Sequence, residues 1–139
     1  MPLFDVNVFM DVLTGRKGVY VSIQLISSVQ KGDFPGEISA ITIPILWFLL
    51  KRSMGGKDAK TRVETLTSGF EVIPTDHAII NASYTSPMVD FEDAIQFHSA
   101  LTGDSRFLIT RNIKDFIQNH PALRVVSPED FLNQKLWLL

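Results

Sequence analysis

The stretch Asp90–Phe116, DFEDAIQFHSALTGDSRFLITRNIKDF, decides the fold of this chain. It opens on Asp90, a residue type suited to cap a helix, and carries Asp93 in the first turn, where a negative charge favours the helix N-terminus. Ala94, Ile95, Phe97, Ala100 and Leu101 then form an apolar stripe at roughly helical spacing, ended by Gly103. Phe107, Leu108 and Ile109 make a short continuous apolar run, the pattern of a strand buried on both faces of a parallel sheet. Thr110, Arg111 and Asn112 follow at its C-terminal end, with Asp115 three residues beyond Asn112. In a parallel α/β arrangement a helix start and the end of the next strand share one edge of the sheet. Asp93, Thr110, Asn112 and Asp115 are thereby gathered. Each has an ordinary structural role alone: Asp90 as a cap, Asp93 as a first-turn charge, Asp115 as a solvated loop residue. Their convergence on one edge suggests chemistry.

Upstream, Pro2–Asp5 reads as a strand, and Val8, Phe9, Val12 and Leu13 as a helix stopped at Gly15. Asp5 then sits where strand gives way to helix, which favours the helix N-terminus and is also where open α/β sheets place ligand-binding groups. A second helix spans Gly18–Lys31, and Gly32, Pro35 and Gly36 mark a loop. Glu37–Thr42 reads as strand two, followed by a helix with Thr42 as N-cap and Pro44 tolerated in its first turn. Trp47 and Phe48 are adjacent and bulky, so they cannot both face one core; one belongs at a dimer interface or a core edge. Gly55 and Gly56 break the chain before a polar helix over 58–66, whose Lys57, Lys60 and Arg62 face solvent or phosphate. Phe70–Ile73 is strand three, Thr75 caps a helix through Ala82, and Arg124–Val126 is strand five. A closing helix starts at Pro128 and extends to Leu136, leaving Trp137, Leu138 and Leu139 exposed or covered by a partner. This alternation implies one α/β domain over residues 1–139, a three-layer α/β/α sandwich with a five-stranded parallel sheet. The order 3-2-1-4-5 puts the topological switch between strands one and four and brings Asp5 beside Thr110, Arg111 and Asn112.

The 139 residues carry a formal net charge of −2, which offers no generic basic surface for nucleic acid but leaves room for a local basic patch. With no cysteine, disulfides, thiolate zinc sites and cysteine nucleophiles are excluded. The three histidines, His77, His98 and His120, lack metal-ligand spacing. No basic signal-peptide region precedes Asp5, and Ile41–Leu50 is too short to cross a bilayer, so a cytoplasmic protein without a membrane span is expected. No phosphate-cradling glycine loop follows a strand, and no serine stands in a nucleophile-elbow context. What remains is a set of oxygen donors. Asp5, Asp93 and Asp115 suit a hard cation, Mg²⁺ or Mn²⁺, able to activate water and steady the leaving oxygen of a phosphodiester. Thr110, Arg111 and Asn112 are the candidate substrate-binding residues.

The segments DVNVFMDVL, ISAITI, DFEDAIQFHSAL, ITRNIKDF and VVSPEDFL resemble the PIN-domain family, most closely the VapC-type ribonucleases of bacterial and archaeal toxin–antitoxin pairs. The resemblance covers nearly the whole chain in order; DFEDA followed by TRNxKDF is fairly specific, whereas the opening DxN is weak alone. It implies the same 3-2-1-4-5 sandwich and metal-dependent cleavage of RNA by three or four acidic residues. The first acid falls on Asp5 and another on Asp93. Asn112 stands where many members have aspartate, with Asp115 nearby. The family's T-x-x-E pattern after strand two reads Thr42-Ile43-Pro44-Ile45 here, so Ile45 occupies the glutamate position. Asp90, one helical turn before Asp93, is a partial substitute or simply the cap. The expectation is a weak, Mn²⁺-favouring endoribonuclease with RNA as substrate, an antitoxin protein as partner and a homodimeric state. A catalytically inactive PIN-like module that binds RNA or protein is the second reading.

Overall fold

Short strands that are apolar on both sides need cover on both faces of their sheet, and the connecting helices supply it. The computed structural model describes residues 1–139. Its strands are β1 (Pro2–Phe4), β2 (Glu37–Ser39), β3 (Glu71–Ile73), β4 (Phe107–Ile109) and β5 (Arg124–Val126). They form one parallel sheet in the order β3-β2-β1-β4-β5, the order expected above. Register pairs Leu3 with Glu37 on one side and with Leu108 on the other. The helices are α1 (Val6–Thr14), α2 (Val19–Lys31), α3 (Thr42–Met54), α4 (Gly56–Thr67), α5 (His77–Tyr84), α6 (Phe91–Thr102) and α7 (Pro128–Asn133). No helix is long and apolar enough to cross a membrane.

Alternation along the strands divides the core in two. Phe4, Ile38, Phe107 and Ile109 face the larger cluster, with Phe9 from α1, Leu25 and Val29 from α2, Leu46 from α3 and Phe131 from α7. Leu3, Ile73 and Leu108 face the other, under Ile79 from α5 and Ile95, Phe97 and Ala100 from α6. Each fully buried aromatic or leucine contributes on the order of 1.5–3 kcal/mol. Phe4 packs edge-on against Phe70 with ring centroids 5.0 Å apart, so strand one and the approach to strand three share one aromatic joint.

Several boundaries differ from the sequence reading. Strand two stops at Ser39, and Thr42 opens α3 instead of capping it; its hydroxyl is buried and accepts from Gln96 Nε2 at 3.3 Å. Asp76, not Thr75, caps α5, accepting from the Ile79 N–H at 3.0 Å, and that helix runs on to Tyr84. The closing helix ends at Asn133, and Leu136–Leu138 forms a 3-10 turn. That turn folds Trp137 back onto the core, where it stacks on Phe34 at 5.7 Å, so only Leu138 and Leu139 of the tail are exposed. Trp47 is half-buried and donates to the Gly56 carbonyl at 3.0 Å, leaving Phe48 as the exposed member of its pair.

Candidate active site at the carboxyl edge of the sheet

β1 and β4 are neighbours, and both chains leave the sheet at the same edge. Phe4 pairs with Ile109, so the next residues, Asp5 and Thr110, stand side by side. Asp5 is 1% exposed. Thr110 donates its hydroxyl proton to Asp5 Oδ2 at 2.8 Å. The same hydroxyl accepts from Asn7 Nδ2 at 3.2 Å and from the Asn112 N–H at 3.0 Å, which uses its full bonding capacity. Asp5 Oδ1 is buried with no donor. Burial, offset in part by the Thr110 bond and reinforced by the nearby Asp93 charge, pushes the Asp5 pKa up to about 7.

Asp93 arrives from the first turn of α6. Asp90 caps that helix, its Oδ1 accepting from the Asp93 N–H at 3.0 Å, as its position in the sequence suggests. The half-buried Asp93 carboxyl is raised to about 6 by burial and then by Asp90, Asp115 and Glu92. Asp93 and Asp115 line one open groove of about 470 Å³ together with Asp90, Lys114, Pro87, Met88, Val89, Phe116 and Ile117. Asp5 follows β1, Asp93 stands in the first turn of α6 and Asp115 follows β4; the Asp93 charge helps raise the pKa of Asp5, and the Asp115 charge helps raise that of Asp93. No group of three or more Asp, Glu, His or Cys side chains converges closely enough to enclose an ion unaided. The donor set nonetheless has the chemistry of a hard-cation site, and the unpartnered Asp5 Oδ1 is the atom that asks for one.

The substrate-binding trio separates. Thr110 is fully buried and serves Asp5, while Asn112 is exposed. Arg111 turns inward. Its guanidinium pairs with Asp11 of α1 and Glu129 of α7, and donates to the Gly18 carbonyl at 2.8 Å and Ser22 Oγ at 3.1 Å. Burial opposes its charge, but the two carboxylates more than compensate and raise its pKa further. With its donors so engaged, Arg111 braces the loop that carries Thr110.

Sequence reasoning assigned no role to Asn7, although it stands in the opening Asp5-Val6-Asn7. Its Oδ1 accepts from the Arg111 N–H at 3.2 Å, so one buried amide ties α1 to the loop after β4. A polar residue two positions past a strand-end aspartate was the available signal. Lys114 and Glu92 were also passed over. Lys114 is the one positive side chain lining the Asp93–Asp115 groove. Glu92 lines a second groove with Val6, Met10 and Ile45.

The sequence matches the family model for the PIN domain over residues 2–114. A chain of a toxin–antitoxin complex from Klebsiella pneumoniae is 27% identical, with a TM-score of 0.68; the alignment covers 92% of this chain and 98% of that one. FitAcB from Neisseria gonorrhoeae has the same fold at 19% identity and a TM-score of 0.67, with 93% and 99% of the two chains covered. VapBC-1 from nontypeable Haemophilus influenzae is also 19% identical, with a TM-score of 0.66 and coverage of 92% and 98%. A search of curated proteins finds no significant match. With the family model spanning most of its length and the 3-2-1-4-5 sheet placing Asp5 beside Thr110, this chain belongs to the PIN-domain family.

Proposed function

We propose that the chain is a divalent-metal-dependent ribonuclease of the VapC type, weakened by Ile45, and that an antitoxin protein restrains it. The observation that carries this reading is the Asp5 carboxyl: one oxygen held by Thr110, the other buried without a donor, and Asp93 beside it. When bound, Mg²⁺ or Mn²⁺ supplies Lewis-acid polarisation of a phosphodiester and lowers the pKa of attacking water. Asp5 would hold such an ion through Oδ1, with Thr110 fixing the carboxyl plane. Asp93 would be the second ligand, and Asp115 would stand near enough to join through water. Lys114 offers the groove a positive charge for the RNA phosphate, and Asn112 an exposed amide for hydrogen bonding. The toxin–antitoxin origin of the Klebsiella pneumoniae relative supports the antitoxin partner.

The test incubates the purified chain with RNA and Mn²⁺, with Mg²⁺, and with a chelator. Slow Mn²⁺-dependent cleavage that Asp93→Asn abolishes is the expected result. Efficient cleavage at low Mg²⁺ contradicts the weakening, and cleavage unaffected by chelator contradicts the metal. The missing convergence of three acids favours a second reading, an inactive module that binds RNA or protein. RNA retained on the protein but left intact in every metal is its signature.

A further inference from the structure

We propose that Tyr84 and Phe91 form a stacking platform that receives an unpaired nucleobase of RNA beside the Asp93–Asp115 groove. The inference deepens the ribonuclease reading by assigning two substrate-binding residues, and it rests on that reading.

Tyr84, the last residue of α5, is 70% exposed, and Phe91, the first of α6, is 43% exposed. The two rings stack on each other outside the core, with centroids 5.1 Å apart and planes 17° from parallel. The connection between them is pinned at both ends of its second half. The Met88 N–H donates to Ser86 Oγ at 3.2 Å, and Asp90 caps α6 through the Asp93 N–H at 3.0 Å. Helix ends therefore hold the rings in place before any ligand arrives. That connection also builds the groove: Pro87, Met88, Val89 and Asp90 line it together with Asp93 and Asp115. The rings themselves lie outside the lining. The base they receive thus belongs to a nucleotide flanking the one whose phosphate sits in the groove.

The chemistry of this corner favours the face of a base over a phosphate or a protein. Asp90, Glu92 and Asp93 adjoin Phe91 in the chain and repel phosphate, whereas a base presents an uncharged π-face. Lys114, the one positive side chain in the groove lining, is the complement for the backbone. Near-parallel rings, with Tyr84 open to solvent, offer an outer face on which a base continues the stack. The two rings together expose roughly 200–300 Å². Each partner in a stable protein–protein interface gives up about 800 Å², so the pair suits a small flat ligand better than a protein surface.

The experiment measures binding of a fluorescently labelled single-stranded RNA oligonucleotide to the full chain by anisotropy, with chelator present so that the strand stays intact. Wild type is compared with Tyr84→Ala, Tyr84→Phe and Tyr20→Ala, the last removing an 83% exposed ring from α2. Tyr84→Ala is expected to weaken binding roughly tenfold, the scale of one lost base–aromatic stack. Tyr84→Phe keeps the ring and is expected to bind like wild type, as is Tyr20→Ala. A strand of the same length with abasic linkers in place of nucleotides is expected to bind wild type and Tyr84→Ala equally. Tyr84→Ala affinity within about twofold of wild type, with Mn²⁺-dependent cleavage retained, overturns the platform and leaves the ribonuclease reading standing. An abasic strand weakened as much as the intact one places Tyr84 against the backbone and also overturns it. Unchanged RNA affinity with an altered mass in light scattering makes the ring pair a protein contact, which overturns it too. A wild-type chain that neither binds nor cleaves RNA overturns both readings.

Discussion

Asp5, just past the end of β1, and Glu37, on the neighbouring β2, are both buried carboxyls, yet the structure treats them differently. Asp5 has one unpartnered oxygen at the carboxyl edge, so Asp5→Asn should weaken Mn²⁺ binding at least about tenfold, with the circular dichroism spectrum unchanged. Unaltered calorimetric affinity would remove it from the ligand set. Ile45 is half-buried and lines a groove beside Val6, so Ile45→Glu should raise Mn²⁺ affinity and RNA cleavage together. No gain in either measurement contradicts the placement of position 45 toward the metal. Glu37 sits under Gly103, where an added Cβ would come within 2.7 Å of its Oε2, and it accepts from Ser105 Oγ. Burial raises its pKa, with the Ser105 bond working against the shift. The folded chain therefore binds this proton more tightly than the unfolded chain does. The resulting stability is present at low pH and is lost as pH rises through the folded value. Glu37→Gln should be more stable than wild type near about pH 8 and lose that advantage near about pH 4. A gain on the order of 1 kcal/mol would appear as roughly 2–5 °C in a thermal melt. A constant offset across that range would show that the carboxyl does not titrate in this window.

Among the elements, the loop after β4 depends on a brace rather than on its own turn. Arg111 joins α1 through Asp11, α2 through Gly18 and Ser22, and α7 through Glu129, and Asn7 bonds its backbone. Asp11 is 1% exposed, so removing the guanidinium strands a buried charge with only Ser22 as donor. Arg111→Ala should cost about 3 kcal/mol or more in chemical denaturation. Adding Asp11→Asn should recover part of that loss, because the uncompensated carboxylate is its main source. If the double variant is no more stable than Arg111→Ala, the cost lies in packing instead. Helix signals in this region were legible: Asp90 caps α6, and Pro128 opens α7. The direction of Arg111 was not. A basic residue after a strand at a ligand edge reads as substrate-facing until the partners from three helices are known.

For the molecule as a whole, exposed apolar surface lies on α3 as well as in the tail, where Leu138 and Leu139 are exposed. Trp137 is absorbed by Phe34 and Phe131, whereas Phe48 and Leu49 on α3 are 49% and 42% exposed. These two also line the groove that holds Ile45 and Glu92. An apolar patch of this kind marks an association surface. The expected state is a homodimer, and Phe48→Asp should convert it to monomer in light scattering. A wild-type monomer at high concentration would rule out self-association through α3.

The sequence by itself determined the alternating α/β plan, the strand segments, most helix ends, the place of Asp5 at the end of β1 and that of Asp93 in the first turn of α6. These follow from periodicity, capping residues and strand-end position, which act over a few neighbouring residues. Tertiary structure alone decided that Asp5 is buried with a free oxygen, that Arg111 points inward, that Trp137 folds back and that Glu92 shares a groove with Ile45. Each depends on where elements far apart in the chain come to rest, as in the Thr110–Asp5 bond that spans 105 residues. Local pattern carries no information about such distances; the packing of helices on the sheet sets them.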